Sequence, residues 1–81
     1  MRVIVDEPWS HVLFEVDNAW VLTVITGGPI AVDISIRLND DEVSEIESDI
    51  SLVDELANEL KTNREKFRDR EIRPTVWPDR S

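Results

Sequence analysis

The first half of the chain alternates apolar and polar residues at a period of two, and the second half repeats its apolar residues every three or four. Val3 and Val5 open the alternation, and Glu7-Pro8 interrupts it because proline has no amide to give to a strand ladder. Val12, Phe14 and Val16 then point one way, with His11, Leu13, Glu15 and Asp17 pointing the other. Asp17-Asn18 is turn chemistry. Ala19 to Thr26 is apolar on both faces, which places it centrally in a sheet, and Gly27-Gly28-Pro29 reads as the next turn. In the strand that follows, Ile30, Val32, Ile34, Ile36 and Leu38 share one face, while Ala31, Asp33, Ser35 and Arg37 share the other. One sheet face must be covered, and the other is open to water or a partner.

After Leu38 the period becomes helical. Asn39 or Asp40 caps, Asn39-x-x-Glu42 has the form of a capping box, and acids fill the first turn where the helix dipole favours them. Val43, Ile46, Ile50, Val53, Ala57 and Leu60 would fit one uninterrupted helix. The preferred reading breaks it at Ser48-Asp49 and starts a second helix at Ser51 with Asp54, because Leu52 and Leu56 then join its apolar stripe. Asn63 is placed to cap a last short helix around Arg64–Arg68 that buries Phe67, and the segment from Ile72 with Pro74 and Pro78 reads as irregular. The expected architecture is a two-layer α+β domain. Three or four antiparallel strands form a meander, with two or three helices on one face. Residues 1–72 make a single domain and 73–81 an irregular C-terminal tail.

Composition narrows the function classes. A chain of 81 residues holds one domain. It has no Cys, which excludes disulfide scaffolds, thiol catalysis and cysteine-based zinc sites. It has one His and no Tyr, which leaves little for acid–base or metal chemistry, so no cofactor, no metal and no enzymatic activity are expected. The formal net charge of −9 opposes nucleic acid and anionic membranes. No apolar run nears the roughly 20 residues of a membrane span, nor is there a signal peptide, so a cytoplasmic location is expected.

The charge is uneven. Residues 39–63 hold nine acids against Lys61 alone, whereas residues 64–81 hold six bases against four acids. Asp40, Asp41, Glu42, Glu45, Asp49, Asp54, Glu55 and Glu59 are therefore the candidate contacts for a basic protein partner, since so dense a run exceeds what capping and solubility require. They lack the alternating donors and central glycine of a calcium loop. Trp77, between two prolines, is a candidate hot spot, although a clamp of loop onto core is the preferred reading; Trp9 and Trp20 read as packing. His11 with Glu15 and Asp17 would suit a general base or a metal ligand, but a solvated or edge histidine in a salt link fits better, since nothing nucleophilic is expected beside it. The stripe from Val43 to Leu60 is too short for a coiled coil when the sheet needs it as a lid. The basic tail neutralises the acidic helices, and Gly27-Gly28 lacks the lysine of a phosphate loop.

One layout is familiar. Ala19-Trp20-Val21-Leu22-Thr23-Val24-Ile25-Thr26-Gly27-Gly28, then Val32-Asp33-Ile34-Ser35-Ile36-Arg37-Leu38, Asp41-Glu42, and Phe67 with Arg70-Glu71-Ile72 resembles small bacterial proteins similar in size and character to the immunity proteins that neutralise polymorphic toxins. The motifs are structural, so the resemblance carries over no functional residue. It implies an acidic inhibitor of a cognate toxin, such as a nuclease or deaminase with a basic substrate channel. The carboxylates of residues 40–59, or a sheet face with Asp33, Glu15 and Asp17, would stand where phosphates bind. The alternative is a structural or regulatory subunit that assembles with copies of itself; the oligomeric state is left open.

Overall fold

A computed structural model describes residues 1–8, 10–26 and 32–78. The chain runs β1 (Arg2–Glu7), β2 (His11–Val16), β3 (Ala19–Thr26), β4 (Val32–Arg37), α1 (Asp40–Ser48), α2 (Leu52–Thr62), a 3₁₀ helix (Arg64–Arg70) and β5 (Glu71–Ile72). The sheet is an antiparallel five-stranded meander in sequence order. The architecture is the α+β fold expected, with one strand more: Glu71 and Ile72 pair with Ile36 and Ser35 rather than opening an irregular tail. A bulge lies between Val3 and Val5 of β1. Asp17 and Asn18 both take positive φ, 52° and 64°, the turn conformation that Asp and Asn tolerate best after Gly. The expected Gly27-Gly28-Pro29 turn, Ile30, Ala31, Trp9 and residues 79–81 lie outside the described residues.

The helices form as their local chemistry dictates. Asn39 accepts from the Glu42 amide at 2.8 Å while Glu42 Oε1 accepts from the Asn39 amide at 2.9 Å, closing the capping box. The break after Ser48 is real, but Ser51 does not cap α2 with its hydroxyl. Instead the Asp49 carboxylate accepts from both the Ser51 amide and hydroxyl, a side-chain turn that ends one helix and starts the next. Asn63 holds the cap position of the 3₁₀ helix without a side-chain hydrogen bond; its carbonyl accepts from the Lys66 amide instead.

Register sorts the side chains onto two faces. Leu13, Leu22, Val24, Ile34, Ile36 and Leu38 pack against Ile46, Val53, Ala57, Leu60 and Phe67 under the helices, with Trp20 half-buried at the margin. The other face carries a second cluster of Val12, Phe14 and Val21, joined by Val16, Ile72 and Val76. The sequence leaves this face open to water or a partner, but its centre is covered. The segment after β5, which begins with a cis Arg73–Pro74 peptide, lies across it. Thr23 Oγ1 donates to the Val76 carbonyl at 2.6 Å, and the Val76 amide donates to Ser35 Oγ at 2.9 Å. The two hydroxyls, 2.7 Å apart and fully buried, complete a closed network when Ser35 donates to Thr23.

Candidate functional site

The acidic run folds into an exposed face of the helical layer, and the structure divides its carboxylates into two groups. Glu42 is taken: it closes the capping box and receives both guanidinium nitrogens of Arg70. Glu59 is paired with Lys66. Asp54 lies 3.2 Å from His11, and Asp49 is bound by Ser51, whose hydroxyl and then amide hold its carboxyl below the ordinary range. Asp40, Asp41, Glu45 and Glu55 are exposed and make no ion pair among the described residues; Glu47 completes that set. The expectation that the basic segment neutralises the acidic helices holds only for Lys66 and Arg70; Arg68 pairs with its neighbour Glu65. Arg64 and Arg73 both serve Glu71, whose side chain is only 6% exposed, and hydrogen bonding from Arg64 above all holds the Glu71 carboxyl below its usual range.

Between α1 and α2 runs a groove of about 130 Å³, with Ile46, Leu52 and Leu56 as its floor and Glu42, Glu45, Glu55 and Glu59 around it. That volume is below the roughly 300–1,000 Å³ of small-molecule sites and suits one long side chain. The rim is occupied unevenly: the chain's own Arg70 and Lys66 sit on Glu42 and Glu59, and Glu45 and Glu55 have no such cation. An apolar floor with two unmatched carboxylates favours a lysine or arginine, whose stem packs on Leu52 and Leu56 while its head meets the acids.

The remaining candidates fall elsewhere. Trp77, 39% exposed, donates its indole N–H to Asp33 Oδ2 at 3.2 Å on the face opposite the helices, and so does not join the helical acids. There it borders a cavity of about 370 Å³ with Asp6, Val12 and Ile25. Glu15 and Asp33 do not share a face: Glu15 stands with Leu13 on the helix side and pairs with Arg2, while Asp33 stands opposite Ile25. His11 does not meet Glu15 or Asp17 either, and it is buried rather than solvated as expected, because α2 brings Asp54 against it. It is 6% exposed, with Nδ1 at 2.9 Å from Ser10 Oγ, and Ser10 Oγ accepts from Lys61 Nζ at 3.0 Å. The expectation that nothing nucleophilic stands beside His11 is therefore corrected by its own sequence neighbour. The sequence marked neither Ser10 nor Lys61, because Lys61 approaches from fifty-one positions away.

Among the described residues no helix is long and apolar enough to cross a membrane, and no group of three acidic or histidine side chains is placed to hold a metal. No protein-family model matches the chain, nor does any curated protein or solved structure.

Proposed function

We propose that this chain works by binding a basic protein through the groove between α1 and α2, and that the partner is a bacterial toxin of the nuclease or deaminase kind whose substrate channel is cationic. The observation that carries the reading is the unmatched pair Glu45 and Glu55 over the apolar floor of Leu52 and Leu56, beside rim positions where the chain's own cations already pair. A basic side chain of the partner enters there. Asp40 and Asp41, exposed at the start of α1, extend the negative field that speeds encounter. The desolvated contact at the groove supplies slow dissociation. Inhibition then needs no chemistry from this chain: its carboxylates occupy the channel in place of phosphates.

The test compares the tagged wild type with the Glu45→Gln/Glu55→Gln variant in capture from the native cell lysate at low and high salt. The expected result is one stoichiometric basic protein, retained about tenfold less by the variant and less at high salt, whose activity the wild type blocks one-to-one. Equal retention by both proteins, or recovery of this chain alone, contradicts the reading; the latter favours self-assembly.

A further inference from the structure

Ser10, His11, Asp54 and Lys61 form a directional chain of contacts that the groove does not use. We propose that this chain makes Ser10 an activated nucleophile, a stoichiometric acceptor of acyl groups from activated esters or thioesters.

The direction follows from what each group can donate. Lys61 Nζ is an ammonium and only donates, so Ser10 Oγ accepts from it at 3.0 Å. The Asp54 carboxylate only accepts and its Oδ1 lies 3.2 Å from His11 Nε2, so the tautomer with the imidazole proton on Nε2 is the one that avoids facing a lone pair with a carboxylate. His11 Nδ1 is then the acceptor, and the Ser10 hydroxyl donates to it at 2.9 Å. The contact between Nε2 and Asp54 is close in distance but too poorly aligned for a hydrogen bond, and Nε2 is the one buried side-chain nitrogen or oxygen among the described residues that lacks a hydrogen-bond partner. A neutral ring gains little from that arrangement. A ring that has taken the serine proton faces the Asp54 carboxylate at 3.2 Å, the ring buried and the carboxylate exposed.

The fold holds this geometry rigidly. The Ser10 amide donates to the Glu7 carbonyl and its carbonyl accepts from the Ile25 amide, which fixes Ser10 at the entry to β2. Asp54 and Lys61 are two helical turns apart and so share one face of α2. In the acyl transfer the Ser10 Oγ–carbon bond forms and the carbon–leaving-group bond breaks. The hydroxyl proton passes to His11 Nδ1 and then to the departing oxygen or sulfur, and nothing is oxidised or reduced. Lys61 stabilises the negative charge that develops on Oγ, and Asp54 the positive charge on the ring.

The probe is p-nitrophenyl acetate with the full chain. The expected result is a burst of one equivalent of nitrophenolate, with one acetyl group mapped to Ser10 by peptide mass spectrometry. Ser10→Ala abolishes the burst, and His11→Gln slows it by about a hundredfold. Asp54→Asn alters an exposed carboxylate, so its fold survives even where His11→Gln does not, and it slows the burst about tenfold. Acetylation confined to lysines, or labelling of Ser10 at the same rate in Asp54→Asn and in the urea-unfolded chain, overturns the proposal and leaves the four residues as a clasp between β2 and α2. Neither result touches Glu45 and Glu55, so the groove stands or falls separately.

Discussion

The two faces of the sheet are closed by different physics. The helix side is sealed chiefly by aliphatic and aromatic burial, with Leu13, Leu22, Ile36 and Leu60 fully inaccessible and the polar contacts of Lys61 with Ser10 and of Arg70 with the Arg37 carbonyl beside that core. The opposite side buries a smaller cluster and finishes it with a hydrogen-bonded strap, Thr75–Val76–Trp77, anchored on Asp33, Thr23 and Ser35. Apolar burial is additive and tolerant of small shifts, whereas the strap relies on buried hydroxyls that must keep their partners. One face therefore supplies most of the stability, and the other fixes the position of the C-terminal segment.

Truncating the helix side has the largest expected effect. Leu60→Ala removes a fully buried core side chain from α2, the helix that packs on β3, and costs about 2–5 kcal/mol in urea unfolding. A loss below about 1 kcal/mol would mean that the helices are a loose lid. On the strap side, Thr23→Val removes the 2.6 Å donor to the Val76 carbonyl, leaves that carbonyl only the longer contact with Ser35 Oγ at 3.3 Å, and costs about 0.5–1.5 kcal/mol. The double variant with Ser35→Ala costs less than the sum of the singles, since both changes break one network; strict additivity would show the two hydroxyls to be independent.

The smallest expected effect lies at the edge between the faces, in β5. The Glu71 carboxyl is held below the ordinary glutamate value of 4.5 by hydrogen bonding from Arg64, then Arg73. A depressed folded value means that the carboxylate form favours the native state. Its contribution is complete above about pH 4.5 and is lost as pH falls through the lowered folded value. Glu71→Gln should therefore flatten the acid limb of the stability profile below that pH. An unchanged acid limb would show that the two arginines are solvated.

What could be read from the sequence was what is local. The capping box at Asn39 and Glu42, the Asp17-Asn18 turn and the break after Ser48 each depend on residues within a few positions. The alternation of Ile34 and Ile36 marks a buried face without reference to any partner. The strap could not be read this way. Val76 and Trp77 sit between prolines with no periodicity, and their partners Asp33 and Ser35 lie some forty residues upstream. The same distance hid the pairing of Glu71 into the sheet and the approach of Lys61 to Ser10. The acids of the site were visible as a run, but not their division. Only the fold shows that Arg70 and Lys66 return to Glu42 and Glu59 and leave Glu45 and Glu55 unmatched.

The most direct test of the proposed binding face is hydrogen exchange of the chain, alone and with any partner captured, resolved by peptide. Slowed exchange confined to α1 and α2, around Glu45 and Glu55, is the expected result. Protection instead of Thr75–Trp77 and the Asp33 end of β4, with α1 and α2 unchanged, would contradict the account and move the interface to the strapped face.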